Sequence, residues 1–315
     1  MTEALSLLEE FPKQFLVDLP HRISLEKIKG VIFSGMGGSG IVGDFVKLLL
    51  ERDLNLPMLS LRGYDLPRFV GEDWLVVCTS YSGNTEETIS VFEQALERRC
   101  RLVAISSGGK LKELALMHGV LHISLPEGFP PRYAFGYMLS SLLSLFGISM
   151  KDVSEHLEDS KENIKKEADY IAKRLYGYVP IIYATPLTEP VAFRWKTQIN
   201  ENSKSLCYYV TLPEMHHNEV VGLDNPKTRN CLVFLIMHDE EDHERIKKRV
   251  DITQNILKEL GIAPIILKGE GNTLLKRLMY LLYLGDYTSC LLAQTYGYDP
   301  IPVRVIERIK HELAS

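Results

Sequence analysis

The sequence has few cysteines and little opportunity to pair them. Five cysteines among 315 residues are scattered without a paired spacing, which argues against a disulfide framework and against a structural zinc site. Three of them, Cys78, Cys207 and Cys231, lie in or beside apolar runs. We therefore expect buried free thiols.

The sequence also lacks a long apolar run, a basic excess and a nucleotide-binding lysine motif. The most apolar stretch, Leu274–Ala293, is interrupted by charges, and the acidic, amphipathic start does not resemble a secretory signal. A formal net charge of −5 gives no electrostatic footprint for nucleic acid or an anionic membrane. G-x-x-x-x-G-K-[ST] does not occur, which disfavours a nucleoside triphosphatase of that class. These absences predict a cytoplasmic protein with no nucleic-acid and no membrane partner.

What is present is alternation of strands and helices along both halves of the chain. In the first half, strands are predicted at Val31–Ser34 and Trp74–Thr79, and a long apolar helix at Arg132–Phe146. The second half repeats this plan loosely, with a helix predicted over Glu240–Leu260. The pattern predicts two doubly wound α/β domains, each with a parallel sheet and helices on both faces.

The expected organisation is a first domain over residues 1–150 and a second over 151–298. The length suits two domains of ordinary size. The remaining residues 299–315 are too short for a domain. They have a helical pattern, and we expect a tail helix that packs back near the active site.

A glycine-rich turn, Gly35–Gly40, follows the first strand and opens a helix. Its glycines allow backbone N–H groups to approach an anion, to which the helix N-terminus adds partial positive charge. Gly37, Gly38 and Ser39 are therefore candidates for phosphate binding. The run also satisfies G-x-G-x-x-G, but the next strand ends at Arg62 and not at an acid. This counts against NAD and only mildly against NADP.

The stretch Ser80–Thr88 follows the second buried strand and is rich in hydroxyls. Ser80, Ser82 and Thr85 stand at a strand's carboxyl end, where open α/β sheets bind ligands. We interpret them as hydroxyls that hold the phosphate of a phosphorylated sugar. The alternative is structural: Asn84 with Glu87 resembles a capping box for the following helix.

These two motifs resemble the phosphate-side signatures of the sugar isomerase (SIS) domain. The whole chain resembles the bifunctional phosphoglucose/phosphomannose isomerases of archaea and some bacteria. The similarity extends through three further motifs, which are Pro130–Gly136, Asn200–Lys204 and Pro213–Glu219, and closes at Asp299–Lys310.

The resemblance implies a metal-free isomerase of two SIS domains that acts as a homodimer and needs no cofactor. Its substrates would be glucose 6-phosphate or mannose 6-phosphate and fructose 6-phosphate. Glu201 would be the proton-transfer base, and Arg132 would face the reacting carbons. His217 of the partner subunit and Lys310 would assist ring opening; His216 is the alternative histidine.

Other interpretations remain open at this stage. The nearby side chains Glu214, His216, His217 and Glu219 suggest a metal site, but adjacent histidines rarely chelate one ion. His238 and His243 flank an acidic run and are expected to be solvated. A non-catalytic sugar-phosphate sensor would keep the phosphate cradle without needing Glu201. An NADP-dependent dehydrogenase would use Gly35–Gly40.

Overall fold

The structure is a computed structural model that describes residues 2–20 and 22–313. The chain forms two compact units. The first unit is Glu10–Glu155, and the second contains the residues up to Glu9 and those from His156 onward. Each unit is described by itself below.

Within the described residues the chain forms nine strands and eleven α-helices. The strands are β1 Gly30–Ser34, β2 Met58–Leu61, β3 Trp74–Thr79, β4 Arg101–Ser106, β5 Leu121–Ser124, β6 Val179–Ala184, β7 Tyr208–Thr211, β8 Leu232–Met237 and β9 Ile265–Leu267. The helices are α1 Glu3–Glu9, α2 Gly37–Leu50, α3 Glu86–Glu97, α4 Gly109–Met117, α5 Phe135–Leu145, α6 Lys151–Leu175, α7 Glu189–Ser203, α8 Pro226–Arg229, α9 Glu244–Glu259, α10 Leu274–Tyr296 and α11 Arg304–Leu313.

The first unit contains a five-stranded parallel sheet in the order β2-β1-β3-β4-β5. Every residue of β1 and β3 is buried, as expected for central strands covered on both faces. Val76 and Cys78 pack toward α3 and α4. On β1, Phe33 lies against Gly43 of α2 and against the Phe146 ring. Helices therefore cover both faces, and the predicted doubly wound α/β fold is confirmed.

The second unit contains a four-stranded parallel sheet in the order β7-β6-β8-β9. Both sheets share one topological feature: the first strand of the unit lies in the interior of the sheet, and the chain departs from it in both directions. The carboxyl ends of β1 and β3, and those of β6 and β8, are therefore switch points where a ligand crevice forms.

Helix α7 is fixed to α10 by buried polar groups. Arg194 and Asp286 form a two-point ion pair with N–O distances of 3.0 and 2.8 Å, and both side chains are 1% exposed. One turn away along α10, the indole N–H of Trp195 donates to the Leu281 carbonyl at 2.7 Å. Gly285 lets the helices approach, since a Cβ there would lie 2.3 Å from the Trp195 ring nitrogen.

Several local predictions were wrong. The helix expected over Arg132–Phe146 begins as a 3-10 turn, Pro131–Ala134, and becomes α-helical at Phe135. The helix expected from Glu240 begins at Glu244, because the His243 imidazole caps it by accepting from the Arg245 N–H. Cys231 is exposed, since it precedes β8, whereas the four other thiols are buried.

Candidate functional site

The two predicted phosphate motifs meet at the switch point of the first sheet. Gly35–Gly40 follows β1, Ser80–Thr85 follows β3, and these strands are hydrogen-bonded neighbours. The Ser39 hydroxyl accepts from the Tyr81 backbone N–H at 3.3 Å and so joins the two turns. The sequence did not predict this contact, because Ser39 and Tyr81 are 42 residues apart. The parallel pairing of β1 with β3 brings them together.

The hydroxyls of the second turn form a short network. The Oγ of Ser80 lies 2.9 Å from Oγ1 of Thr85 and accepts from the Gly83 N–H at 3.1 Å. Ser82 is exposed, and its Oγ accepts from the Asn84 N–H at 3.3 Å. Ser80, by contrast, is only 1% exposed. One buried and two more accessible hydroxyls thus line the end of β3.

Helices α2 and α3 both begin at this point. In the described part of the chain, neither helix has a side-chain hydrogen bond that caps its first turn. The capping-box alternative for Asn84 is therefore wrong: the cap position is Thr85, and the Asn84 amide oxygen accepts from the Lys110 N–H at 3.0 Å. Two helix N-termini with N–H groups available are suited to an anion.

Glycine is needed at two positions of these turns. Gly37 has φ +52° at the start of α2, in the left-handed region that glycine adopts at little cost. Gly83 has φ +70°, and a Cβ there would lie 1.8 Å from the Gly108 carbonyl oxygen. The backbone at both sites is shaped for close approach, which a side chain would prevent.

Arg132 lies in the same unit and is buried, with 5% exposure. Its guanidinium carbon is 5.0 Å from the centroid of the Tyr133 ring. The segment before it is tied to the phosphate turn by Tyr81, whose hydroxyl donates to the Pro126 carbonyl and accepts from the Phe129 N–H. Tyr81 thus links two predicted site segments, a role that the sequence did not indicate.

Gln14 supports the turn that carries Arg132. Its buried amide donates to the Tyr133 carbonyl at 2.7 Å and accepts from the Gly136 N–H at 3.0 Å. Gly136 leaves the room, because a Cβ there would lie 2.7 Å from the Gln14 Cβ. Sequence reasoning missed Gln14, since a lone glutamine 118 residues before Arg132 gives no signal.

Arg62, the residue that made an NADP site conceivable, binds a carboxylate of its own unit. Arg62 forms an ion pair with Asp44 of α2. A guanidinium that neutralises a carboxylate of its own unit is less suited to a ribose phosphate.

Glu201 lies in the last turn of α7, in the second unit, as its position before small polar residues predicted. The next residue, Asn202, donates from its amide to the Ser289 hydroxyl of α10 at 2.8 Å. Glu201 is half-buried and lines a cavity of about 620 Å³ together with Lys204, Tyr298 and Arg304. A half-buried carboxylate that lines a cavity has the access that proton transfer requires.

The two neighbouring histidines have different surroundings. His216 is half-buried: Arg249 donates to its Nδ1 at 3.1 Å, and its Nε2 lies 2.8 Å from the Thr253 hydroxyl. Because arginine only donates, His216 is held as the neutral tautomer with its proton on Nε2. Burial, with Arg249 and His217 adding, lowers the pKa of His216. His217 is exposed and so accessible to another molecule.

The acidic side chains near these histidines also have different hydrogen-bond partners. Glu214 accepts from the Asn218 amide, and burial raises the pKa of Glu219, which is hydrogen-bonded to Tyr183. Within residues 2–20 and 22–313, no group of three His, Cys, Asp or Glu side chains is arranged to hold a metal ion.

Lys310 lies on α11, where it is exposed. It is not among the residues that line the Glu201 cavity, which include only the start of α11. The role assigned to Lys310 therefore rests on the resemblance alone and stays a prediction.

At the corresponding switch point of the second sheet, a buried carboxylate of the chain bonds to residues that follow β6 and β8. Asp242 is 3% exposed, accepts from the Asp239 N–H at 2.7 Å and is hydrogen-bonded to Thr185. Burial raises the pKa of Asp242. His238, expected to be solvated, is half-buried, and burial lowers its pKa. This edge of the second sheet therefore has a buried acidic loop, where the edge of the first sheet has hydroxyls.

The chain has two α/β units, each built on a parallel sheet, and the first has hydroxyls and helix N-termini at its switch point. This combination is typical of SIS-domain proteins. The model of the bacterial phospho-glucose isomerase C-terminal SIS domain matches residues 164–313. Among solved structures, the C-terminal domain of glucosamine-fructose-6-phosphate aminotransferase from Francisella tularensis is similar with a TM-score of 0.71. It shares 15% identity and 96% coverage of each chain, and so reflects the fold.

Sequence relatives define the family more narrowly. The chain is 50% identical to a bifunctional phosphoglucose/phosphomannose isomerase of Aquifex aeolicus over 99% of each chain. It is 38% identical to one from Caldicellulosiruptor bescii, with 93% of this chain and 92% of the relative covered. The chain belongs to the bifunctional phosphoglucose/phosphomannose isomerase family, as its motifs predicted. No helix within the described residues is both long and apolar enough to cross a membrane.

Proposed function

We propose that this protein is an isomerase that interconverts glucose 6-phosphate, and also mannose 6-phosphate, with fructose 6-phosphate. The observation that carries the proposal is the hydroxyl-lined turn at the start of two helices whose first turns have no side-chain cap among the described residues. The relatives from Aquifex aeolicus and Caldicellulosiruptor bescii are named phosphoglucose/phosphomannose isomerases, which supports it. A dianionic phosphate accepts hydrogen bonds from hydroxyls and backbone N–H groups alike.

In this proposal the cradle holds the non-reacting end of the sugar. Ser39, Ser80, Ser82 and Thr85 donate from their hydroxyls, and Gly37 and Gly38 donate from the backbone at the start of α2. Binding energy at the phosphate then fixes the position of the reacting carbons, where it lowers the barrier to reaction.

The chemical step is proton transfer between C1 and C2 through a cis-enediolate. We assign Glu201 as the base, because its half-buried carboxylate faces a cavity in which it can take and return a proton. We assign Arg132 to the negative oxygen of the intermediate. Its guanidinium is permanently charged and almost fully buried, and a preorganised charge acts most strongly away from water.

Ring opening needs a proton donor and acceptor, which we assign to His217 and Lys310. His216 is less suited, since both of its ring nitrogens already have partners within its own unit. We further propose that the protein is a homodimer in which His217 of the partner subunit completes each site. The exposure of His217 supports this assignment.

The activity is tested by incubating EDTA-treated protein with fructose 6-phosphate and identifying the aldoses formed. Formation of both glucose 6-phosphate and mannose 6-phosphate is expected. If fructose 6-phosphate binds but is never converted, the protein is a sugar-phosphate sensor. Activity that disappears with EDTA and returns with a divalent metal would contradict the metal-free reaction.

The base is tested with Glu201→Gln, which keeps the size of the side chain but cannot accept a proton. We expect kcat to fall by about 10³-fold or more, with exchange of the C2 proton of glucose 6-phosphate into D₂O abolished and fructose 6-phosphate still bound. Glu259→Gln is a matched control, because Glu259 is an exposed glutamate at the end of α9. Wild-type exchange in Glu201→Gln would remove the assignment.

A further inference from the structure

Lys204 lies directly after α7 and has a backbone that lysine rarely adopts. Its φ of 55° and ψ of 27° place it in the left-handed region, at the C-cap of the helix that carries Glu201. This conformation turns the chain sharply and directs the lysine back across the helix end.

The ammonium of Lys204 joins three backbone carbonyls. It donates to the Glu201 carbonyl of α7, to the Pro302 carbonyl at 2.8 Å and to the Pro300 carbonyl at 3.2 Å. An ammonium has three N–H donors, so these acceptors match its capacity. The charge also lies at the negative end of the α7 dipole, where a cation is stabilised.

The segment held in this way is the start of the C-terminal arm, which we define as residues 298–313. Two prolines stiffen it, and the Asp299 carboxylate accepts from the Ile301 N–H at 3.0 Å. None of the described residues of α11, the rest of the arm, is buried. With so little burial further along, the lysine is a main anchor for the arm.

We call the three hydrogen bonds from the Lys204 ammonium the Lys204 clamp. The clamp and the proposed base, Glu201, lie at one cavity. Glu201, Lys204, Tyr298, Asp299 and Arg304 all line it. Releasing the arm would open this wall of the cavity and leave the Lys204 ammonium with only the Glu201 carbonyl of the three acceptors named above.

From this geometry we infer that Lys204 is a positioning residue, which docks the C-terminal arm against α7 and thereby shapes the cavity around Glu201. The inference deepens the proposed function and rests on it for the effect on the reaction. Lys204 acts through the arm and Glu201, both of which belong to its own unit.

The test uses the full-length protein and the variant Lys204→Asn. Asparagine tolerates the left-handed conformation, so the change removes the ammonium while keeping the turn; Lys204→Gly checks the same point without a side chain. Lys204→Arg retains the charge and several donors. The matched control is Lys258→Asn, because Lys258 is an exposed lysine in the last turn of α9.

Docking of the arm is measured by limited trypsin digestion, with mass spectrometry of cleavage after Arg304, Arg308 and Lys310. We expect cleavage roughly tenfold faster or more in Lys204→Asn and Lys204→Gly, with partial protection in Lys204→Arg and wild-type rates in the control. Unchanged protection in Lys204→Asn overturns the inference, whatever the isomerase assay gives.

The effect on the reaction is measured separately by steady-state kinetics. We expect kcat to fall roughly tenfold or more in Lys204→Asn with KM for fructose 6-phosphate nearly unchanged, and no further loss when the change is added to Glu201→Gln. Faster cleavage with wild-type kcat shows that the arm is docked without serving Glu201, and overturns the positioning role. An inactive wild-type protein with an arm released in Lys204→Asn contradicts the proposed function and leaves the clamp established.

Discussion

At the scale of single residues, the first unit is organised around hydroxyls that are held by hydrogen bonds to one another and to the backbone. Ser80 and Thr85 are within hydrogen-bond distance of each other, and Ser39 already touches the backbone of the other turn. A site whose donors are fixed by their own network loses little entropy when an anion binds. Individual hydroxyls should therefore contribute measurably to affinity.

We predict that Thr85→Ala raises KM for fructose 6-phosphate by roughly 10-fold to 100-fold with a smaller effect on kcat. The reason is the loss of a hydrogen bond to a charged group, worth about 1.5–3 kcal/mol. Ser90→Ala is the control, because Ser90 lies on the same helix and donates to the Tyr64 carbonyl. An unchanged KM in Thr85→Ala would exclude this hydroxyl from the phosphate site.

A second residue-scale prediction concerns pH. The pKa of His216 is lowered in the folded protein, mainly by burial, while the unfolded value is about 6.5. Between the two values the unfolded chain binds more protons, so the free energy of unfolding falls as pH falls below about 6.5. Urea unfolding at pH 7.5 and pH 5.5 should show a smaller pH effect in His216→Gln than in the wild-type protein. Equal pH effects would contradict the buried neutral histidine.

At the scale of elements, the position of Glu201 depends on the packing of α7 against α10. The Arg194–Asp286 pair, the Trp195 hydrogen bond and the Asn202–Ser289 contact act along one helix interface. They decide the direction in which the last turn of α7 points. The fixed end of the helix is therefore a property of the interface and not of Glu201 itself.

We predict that Asp286→Asn lowers the free energy of unfolding of the second unit by about 3–5 kcal/mol, because Arg194 keeps its charge in a buried site without a carboxylate. Urea unfolding followed by Trp195 fluorescence in a Trp74→Phe background measures this change. Asp169→Asn removes an exposed ion pair with Lys173 and should cost less than about 1 kcal/mol. A similar decrease in the free energy of unfolding in Asp286→Asn and Asp169→Asn would show that the buried pair stabilises the protein no more than the exposed one.

At the scale of the whole molecule, the proposed dimer predicts that two inactive variants restore activity when their subunits combine. If His217 of the partner subunit completes the site, then Glu201→Gln and His217→Ala homodimers are both impaired, but a heterodimer has one intact site. Refolding an equal mixture should restore about a quarter of wild-type activity, since half of the dimers are mixed.

Absence of restored activity, with heterodimers demonstrated by mass spectrometry, would place His217 in the same chain as its Glu201. A mixture of Glu201→Gln with Glu201→Gln, His217→Ala serves as control, because none of its possible dimers has an intact site. Activity that appears in the test mixture but not in this control mixture therefore comes from mixed dimers and not from the refolding procedure.

Local patterns in the sequence were sufficient to predict the two central strands of the first unit. Apolar runs bounded by glycines and hydroxyls predicted β3 at Trp74–Thr79 and the two ligand turns after β1 and β3. The helix after Pro131 was placed wrongly, because its start depends on Gln14, a residue far away in the chain. The exposure of Cys231 and the burial of His238 were missed for a related reason. Cys231 directly precedes β8 and His238 directly follows it, so their exposure depends on where the strand begins and ends and on what packs beside it.

The sequence by itself determined the alternation of strands and helices, the doubly wound fold and the family, because periodicity and ordered motifs are local or serial properties of a chain. Only the tertiary structure decided which groups meet. It joined Ser39 to Tyr81, gave the N-termini of α2 and α3 no side-chain cap among the described residues, and placed the Asp242 carboxylate at the second switch point. Such contacts depend on strand order and packing between residues distant in the chain, which no local pattern encodes.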